Sequence, residues 1–283
     1  MKKIVIIAES GSDINVELAK KYDITVVPMH VQFDEETLDD GSFPVQKIVE
    51  YYRETGKLPK TSGSTPGDFE VVFDALHQEY PEAHFLYLAY SAITTCSYQS
   101  AMIASENRDY VTMLDTKQVS LGQGAIVIEV AKALQTNPDI TMEELVKIAQ
   151  HKIETAHMCF LPDNLEFLKA GGRVSNAAYM GAKILNLHPV IEILDGKLMA
   201  TKKYRGNMTR VVSKMMQEYS ESYQLKKDCL WIIYTIGLSS EVKDSMQKTA
   251  DALGYQSIVW VQANGVITTH AGPQAVGIVG FSA

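Results

Sequence analysis

Three kinds of feature are scarce in this sequence, and each scarcity excludes a class of protein. Only three cysteines occur in 283 residues, widely spaced, so the chain has neither a disulfide framework nor a C-x-x-C zinc motif. No run reaches the 18 or so apolar residues of a membrane-spanning helix, and the apolar run at residues 4–8 is shorter than a signal-peptide core of about 7–15 residues. Basic residues occur at most in pairs, and the net charge is −8. We therefore predict a cytoplasmic protein without a transmembrane segment or a nucleic-acid partner.

Apolar residues are plentiful enough for a large core, and their pattern alternates between strand and helix. They make up 46% of the chain, and a length of 283 residues favours two domains or one large one. Residues 4–8 and 85–90 predict strands buried on both faces, whereas Thr65-Pro66-Gly67-Asp68 predicts the capped start of a helix. Strands that alternate with helices in this way predict a parallel sheet with helices on its faces.

The same patterns predict where elements and domains begin and end. We expect one strand over residues 24–31, a loop over 34–41, an apolar helix over 177–187 and a hairpin turn at Asp195-Gly196. The pattern changes near residue 157. We therefore predict an α/β fold with two domains, a Rossmann-like parallel-sheet domain at residues 1–157 and a mixed α/β domain at residues 158–283.

Hydroxyl side chains follow several of the predicted strands. In open parallel sheets ligands bind beyond the carboxyl ends of the strands, and the N–H groups at helix starts favour an anion there. The residues concerned are Ser10, Ser12, Thr61, Ser62, Ser64, Thr65, Ser91, Thr94, Thr95, Thr116 and Ser120. Any one of them is more simply explained as a helix cap, but their repetition at successive strand ends favours a site for a carboxylate or a phosphate.

Three residues of the second half are further candidates for contact with an anion. Arg173 follows two glycines at a predicted helix end, Arg205 lies in a basic loop, and His270 lies at a predicted turn between threonines and a Gly-Pro pair. The alternative for each arginine is a solvated side chain, and for His270 an ordinary structural histidine.

Familiar catalytic and metal-binding motifs are absent from the sequence. The segment Gly122-Gln123-Gly124 lacks the third glycine of a dinucleotide-binding fingerprint, because Val127 stands in its place. No His, Cys and Asp cluster has the spacing of metal ligands. The residues therefore predict neither a metal nor a cofactor.

Taken in order, seven segments resemble the DegV family of bacterial fatty-acid-binding proteins. They are Ala8-Glu9-Ser10-Gly11-Ser12-Asp13, Thr61-Ser62-Gly63-Ser64-Thr65-Pro66, the stretch from Ser91 to Ala101, Leu114-Asp115-Thr116 with Gly122 and Gly124, the stretch from Leu165 to Ser175, Leu187-His188-Pro189 with Asp195-Gly196 and Arg205, and Thr269-His270-Ala271-Gly272-Pro273. Each is weak by itself, but seven in one order are specific. The sequence departs from the family pattern at Ala8-Glu9, where Thr-Asp is usual, at Ala92, where a second serine is usual, and at His188, where lysine is usual.

The resemblance implies two domains that hold one long-chain fatty acid, of the C16–C18 type, in an apolar tunnel between them. The residues that would bind its carboxylate are Thr61, Ser62, Ser91 and His270, and those that would contact a partner or a phosphate are Arg173 and Arg205. The tunnel candidates are Ile93, Met158, Phe160, Leu161, Met180, Ile184 and Leu187. For each tunnel candidate the alternative is ordinary core packing, which is the commoner role of such residues.

The function that the resemblance implies is that of the carrier subunit of bacterial fatty-acid kinase. Such a carrier has no catalytic residue of its own. A separate ATP-binding subunit phosphorylates the bound acid, and the acyl phosphate feeds phospholipid synthesis. The residues leave two alternatives open, which are an enzyme that acts on a small anionic substrate with His270 as acid or base, and a regulatory binding module without an enclosed apolar cavity.

Overall fold

The chain divides into two compact units, which are described here one at a time. The structure is a computed structural model and describes residues 4–174 and 187–283. The first unit comprises residues 1–43, 61–154 and 195–197, and the second comprises residues 44–60, 155–194 and 198–283. The predicted boundary after residue 157 differs from this division, because residues 44–60 group with the second unit and the turn at 195–197 groups with the first.

A four-stranded parallel sheet forms the centre of the first unit. With strands numbered in chain order, its members are β1 (Ile4–Glu9), β2 (Ile24–Val27), β6 (His84–Ala89) and β7 (Val111–Asp115). The order across the sheet is β2-β1-β6-β7, and every neighbouring pair is parallel. All six residues of β1 are buried, which confirms the prediction of a strand covered on both faces. Aromatic side chains fill the core on one side of this sheet, namely Phe69, Phe73, Phe85 and Tyr87.

A smaller sheet in the same part of the chain holds three short strands. They are β3 (His30–Phe33), β4 (Glu36–Asp39) and β5 (Lys60–Ser62), in the order β4-β3-β5. The prediction of a single strand over residues 24–31 is wrong. Its apolar run is divided between β2 and β3, with Pro28, which has no N–H to donate to a ladder, between the two strands. The predicted loop at 34–41 contains β4, which follows a turn at the left-handed Asp34.

Helices follow the strands of the first unit, and one of them starts at the cap that the sequence predicts. The helices of the first unit are α1 (Val16–Tyr22), α3 (Pro66–Glu79), α4 (Ser97–Ala104), α5 (Ser120–Thr136) and α6 (Met142–Thr155), while α2 (Gln46–Thr55) belongs to the second unit. At α3 the hydroxyl of Thr65 accepts from the N–H of Asp68, and the Asp68 carboxylate accepts from the N–H of Thr65. This reciprocal pair is the predicted capping box, with Pro66 at the first helical position.

The second unit is built on a six-stranded mixed sheet. Its strands are β8 (Ala156–Leu161), β9 (Leu187–Leu194), β10 (Lys197–Arg205), β11 (Leu230–Tyr234), β12 (Ile258–Gln262) and β13 (Val276–Phe281), in the order β10-β9-β8-β13-β11-β12. β11 and β12 are parallel, whereas β8 is antiparallel to both β9 and β13. The turn between β9 and β10 has positive φ at both Asp195 and Gly196, which confirms the predicted hairpin.

The second unit contains helices on its described residues, and one of them lies where the sequence analysis predicts a turn. They are α7 (Glu166–Ala170), α8 (Met208–Ser222), α9 (Ser240–Ala252) and α10 (Gly265–Ala271). His270 lies in the last turn of α10 rather than at a turn after a strand, so that prediction is wrong. The predicted helix at 177–187 lies outside the described residues apart from Leu187, which begins β9.

Neither a membrane-spanning helix nor a metal-binding cluster is found in the part of the chain that the structure describes. Within residues 4–174 and 187–283, no helix is both long and apolar enough to cross a bilayer. The same residues contain no group of three or more His, Cys, Asp or Glu side chains that could hold a metal ion.

Candidate functional site

Two hydroxyl-rich loops of the first unit are held against each other. One joins β5 to α3, and the other joins β6 to α4. A Cβ placed on Gly63 would lie 2.4 Å from Oγ1 of Thr95 and 2.5 Å from Oγ of Ser97, so only glycine allows this approach. The Ser97 Oγ accepts from the N–H of Ser64 at 3.1 Å and lies 3.2 Å from the Thr95 Oγ1. The structure therefore brings together two hydroxyl-bearing turns that the sequence places more than 25 residues apart.

The predicted carboxylate-binding residues Thr61 and Ser62 end β5, directly before Gly63. Ser62 is exposed and Thr61 is half-buried. Both residues therefore stand next in the chain to the contact between the two loops. The following Ser64 is fully buried, and among the described residues its Oγ has no hydrogen-bond partner.

Ser91 is buried, and its hydroxyl already has a partner within the protein. Its Oγ donates to the carbonyl oxygen of Gly196 at 2.8 Å, and its N–H donates to the carbonyl oxygen of Gln118. A hydroxyl has one hydrogen to donate. To donate to a ligand carboxylate, Ser91 must therefore exchange the Gly196 carbonyl for the ligand.

A buried carboxyl group, Glu9, lies at the carboxyl end of β1. It is inaccessible to solvent and accepts hydrogen bonds from the Tyr87 hydroxyl, the Tyr90 N–H and the Gln123 side-chain amide. These donors come from β6, from the residue that precedes Ser91, and from α5. Glu9 therefore fixes the start of the Ser91 loop relative to β1.

Burial outweighs these hydrogen bonds in setting the charge of Glu9. Removal from water raises the pKa of its carboxyl group to about 7, although the donors from Tyr87, Gln123 and Tyr90 oppose the rise. The nearby carboxyl group and burial together raise the pKa of Tyr87 above its ordinary value, burial being the larger cause. Near neutral pH, Glu9 therefore exchanges between a neutral and a charged form inside the first unit.

His270 occupies a close-packed position in the second unit. A Cβ placed on Gly171 would lie 2.2 Å from the Nδ1 of His270, so the chain approaches the imidazole as closely as glycine permits. Burial, assisted by the positive charge of Arg173, lowers the pKa of His270 to about 4. At neutral pH the imidazole is therefore uncharged and offers one N–H donor.

The two candidate arginines lie at the ends of elements in the second unit. Arg173 is exposed just after α7, where its Nη1 donates to the carbonyl oxygen of Gly171 at 2.6 Å. Arg173 thus bonds to the same residue that packs against His270. Arg205 is the exposed last residue of β10.

The tunnel candidates do not form one group in the described residues. Met158, Phe160 and Leu161 are all buried on β8, but successive side chains of a strand point to opposite faces. Leu161 packs with Cys159 in the core under α8 and α9, so Met158 and Phe160 lie on the other face. In the first unit, Ile93 is 58% exposed, and in the second unit Leu187 is half-buried at the start of β9. Met180 and Ile184 lie outside the described residues.

Sequence reasoning missed Glu9 as a buried polar centre and missed His30, which is hydrogen-bonded to two carboxylates. The one available signal for Glu9 is an acidic residue that directly ends a fully apolar strand. His30 gives no local signal, because its partners, Asp39 and Asp68, lie nine and 38 residues away.

A family model matches residues 3–283, almost the whole chain, and its description is "Uncharacterised protein, DegV family". This chain belongs to the DegV family. It is 27% identical over 286 residues to a DegV domain-containing protein of Caldanaerobacter subterraneus subsp. tengcongensis, with 98% of each chain covered. It is 26% identical over 293 residues to a protein of Thermotoga maritima named fatty acid-binding protein, with 97% of this chain and 96% of that one covered.

Solved structures of the DegV family have the same fold. A DegV family protein of Thermus thermophilus, whose structure is described as showing fatty acid binding, matches with a TM-score of 0.88 at 24% identity, over 99% of this chain and 100% of that one. A DegV family protein of Eubacterium eligens loaded with heptadecanoic acid matches with a TM-score of 0.85 at 16% identity, over 99% of this chain and 100% of that one. At these identities the likeness establishes the fold.

The raised pKa of Glu9 predicts that this carboxyl group stabilises the fold at acid pH and not at alkaline pH. Its folded pKa of about 7 lies above the ordinary 4.5, so its contribution is complete below about pH 4.5 and is lost as pH rises through about 7. Glu9→Gln, which stays neutral, is expected to raise the free energy of unfolding at pH 8 by up to about 3 kcal/mol and to change it little at pH 4.5. Urea denaturation at the two pH values measures this difference.

Glu129 on α5 supplies a control, because its pKa is shifted in the opposite direction and its substitution should change stability with the opposite pH dependence. It accepts from Lys132 and Lys152, both at 2.8 Å, and these pairs lower its pKa although burial opposes them. Glu129→Gln is therefore expected to destabilise the protein more at pH 8 than at pH 4.5. A Glu9→Gln protein that, like Glu129→Gln, loses more stability at pH 8 than at pH 4.5 would contradict the raised pKa of Glu9.

Proposed function

We propose that this protein is a carrier that binds one long-chain fatty acid, of the C16–C18 type, with its carboxylate on the hydroxyl groups of Thr61, Ser62 and Ser91. The observation that supports it is the contact between the two hydroxyl-rich loops at Gly63, in a chain whose relatives include a named fatty acid-binding protein. Hydroxyls and helix-start N–H groups suit a carboxylate, because they donate to it without requiring a buried cation.

In the second unit the proposal assigns a donor role to His270 and an acyl-binding role to apolar side chains. His270 is neutral at pH 7, since burial and Arg173 lower its pKa to about 4, and a neutral imidazole donates one hydrogen bond. Met158 and Phe160, on the face of β8 opposite Cys159 and Leu161, are the best placed of the described tunnel candidates, because they are not committed to the core under α8 and α9. Met180, Ile184 and Leu187 remain candidates for the same role.

The proposed destination of the bound acid is a kinase partner. An ionised carboxylate held by donors can attack the terminal phosphate of ATP, which a separate ATP-binding subunit would hold, and the products are an acyl phosphate and ADP. Arg173 and Arg205 are exposed cations suited to contact with that partner or with a phosphate. The acyl phosphate would then enter phospholipid synthesis. The proposed compartment is the cytoplasm, and no disulfide joins the three cysteines, all of which lie in the described part of the chain.

Lipid carried through purification tests the binding proposal directly. Mass spectrometry of the denatured protein is expected to release one C16–C18 fatty acid per chain. Thr61→Val combined with Ser62→Ala is expected to lower the affinity for added palmitate by about tenfold or more, because each lost hydrogen bond to a charged group is worth about 1.5–3 kcal/mol.

Ser105→Ala is the matched control for these variants. Its hydroxyl donates to the carbonyl oxygen of Met102 at the far end of α4, away from the hydroxyl-rich loops. We expect its affinity for palmitate to equal that of the unsubstituted protein. Protein that carries no acyl chain and does not bind added palmitate would exclude the carrier function.

Two neighbouring glycines provide a test of the role of His270. An alanine at 171 would put its Cβ 2.2 Å from the imidazole Nδ1, so Gly171→Ala is expected to displace His270 and weaken palmitate binding by about ten- to a hundredfold. Gly172→Ala meets no atom within 4 Å but has a φ of +72°, so it is expected to cost about 1 kcal/mol of stability without moving His270. Isothermal titration calorimetry with palmitate measures the affinity of each variant and so separates the two effects. Equal affinity of the two variants would remove His270 from the proposed site.

A further inference from the structure

His30 on β3 is bound on both sides by carboxylates that come from two other elements. Its Nδ1 lies 3.0 Å from Oδ1 of Asp39, its cross-strand partner on β4. Its Nε2 lies 2.9 Å from Oδ2 of Asp68 in the first turn of α3. The imidazole therefore joins the three-stranded sheet to the start of the helix that follows Thr61 and Ser62.

Hydrogen bonds to both carboxylates at once require one more proton than a neutral histidine can supply. Neutral imidazole has one N–H donor and one acceptor nitrogen, whereas an ionised carboxylate is acceptor-only. When both carboxylates are ionised, two hydrogen bonds from one imidazole therefore require both ring nitrogens to carry hydrogen. The arrangement of Asp39, His30 and Asp68 is called the His30 clasp below, and it is closed when His30 is an imidazolium.

Asp68 is fixed by more hydrogen bonds than Asp39, and this difference decides which of the two bonds His30 keeps when it loses a proton. Asp68 is 23% exposed and also accepts from the N–H and the hydroxyl of Thr65, both at 2.7 Å. Burial alone would raise the pKa of Asp68, but the hydrogen bonds from Thr65 and His30 outweigh it and lower the pKa. Asp39 is 61% exposed and can turn into water. Neutral His30 therefore keeps its bond to Asp68 and loses its bond to Asp39.

The charged groups shown in contact with His30 are both carboxylates. His30 itself is only 13% exposed. Asp39 faces it from β4 and Asp68 faces it from α3, and Asp40, another buried acidic residue, directly follows β4. Within the described residues, β5 contributes no ionic partner to His30. The closed clasp therefore combines two anions with one imidazolium, and His30 and Asp68 are mostly buried whereas Asp39 is exposed.

The clasp lies beside the proposed head-group segment. β3 is the central strand of the order β4-β3-β5, so it is flanked by the strand that carries Asp39 and by the strand that ends with Thr61 and Ser62. Asp68, six residues after Ser62, is hydrogen-bonded to the same imidazole. We propose that His30 is a positioning residue for Thr61 and Ser62, and that the protonated His30 clasp strengthens binding of the fatty-acid carboxylate, a role that rests on the proposed function.

Asp39→Asn gives the clasp a form that needs no extra proton. An amide can rotate to accept from a protonated Nδ1 or to donate to an unprotonated one, so this variant stays closed whichever form His30 takes. His30→Gln removes the imidazole and its titration altogether. His77→Gln is the matched control, because His77 lies on α3 but stacks on Tyr110 instead of linking two carboxylates.

The first measurement needs no ligand and tests the clasp itself. NMR locates the pH at which His30 loses its proton, and urea denaturation gives the free energy of unfolding of the unsubstituted protein and of Asp39→Asn across that pH. We expect the stability of the unsubstituted protein to fall relative to Asp39→Asn as pH rises through the His30 midpoint, since the Asp39 bond is lost only where aspartate is present. A difference that does not change with pH would overturn the proposal, whatever the protein binds.

The second measurement tests the positioning role with palmitate as the probe. The affinity of the unsubstituted protein and of His77→Gln is expected to weaken by about tenfold above the His30 midpoint relative to Asp39→Asn. His30→Gln is expected to bind weakly throughout and to lack that step. Glu9, His270 and the ligand carboxyl titrate in all four proteins and so cancel in the comparison.

The two measurements distinguish the failure of each idea. A protein that passes the stability test but binds no palmitate at any pH contradicts the carrier function and, with it, the role assigned to His30 in binding, while the proton-dependent clasp stands. A protein that binds palmitate with the same pH profile in all four forms overturns the positioning role and leaves the carrier function intact.

Discussion

The burial of carboxyl groups is the constraint on which the first unit depends. A carboxylate removed from water is costly unless donors replace its hydration, and each donor must come from a fixed position. Glu9 meets this requirement with groups from β6, from the following loop and from α5, so one side chain defines the relative placement of three segments. Even so, its pKa rises to about 7, which shows that three donors do not fully replace water.

The same constraint applies to the head group of the proposed fatty-acid ligand, but the hydroxyl-rich loops offer it donors of a different kind. Glu9 has donors dedicated to it, whereas the hydroxyl of Ser91 already donates to the carbonyl oxygen of Gly196. At Ser91 a ligand carboxylate would therefore exchange an existing bond rather than add a new one, and such an exchange yields little net free energy. The acyl chain would then supply most of the affinity, at about 0.8 kcal/mol per buried CH₂, while the head group determines orientation.

Local chemistry explains which parts of the fold were predictable from the sequence. The start of α3 and the turn at Asp195-Gly196 depend on residues within four positions of each other, and both predictions are confirmed. The parallel sheet follows from continuous apolar strands. The break at Pro28 was missed because an apolar run does not reveal that its two halves belong to different sheets. His270 was misplaced because α10 is short and rich in β-branched residues, so its surroundings override its propensity.

The candidate site was predictable only where its residues lie in recognisable segments. Thr61, Ser62 and Ser91 stand at strand ends, which is a signal that sequence carries. Glu9 and His30 act through partners at separations of 114 and 38 residues, and no periodicity connects such pairs. The placement of the tunnel candidates Met158 and Leu161 on opposite faces of β8 follows from strand alternation once the strand is known, but which face is core depends on α8 and α9.

The charge state of His270 suits the proposed carrier function, in which the bound acid must be released. A buried imidazolium beside a carboxylate would form an ion pair in a medium of low dielectric constant, and breaking such a pair leaves an unpaired buried charge. Burial and Arg173 instead keep His270 neutral above about pH 4, so it offers a hydrogen bond without a charge of its own. In the proposed function, a departing carboxylate would leave a neutral side chain behind. The placement of a cation next to His270 would then limit how strongly the second unit holds a head group, which a carrier that passes its ligand to another protein requires.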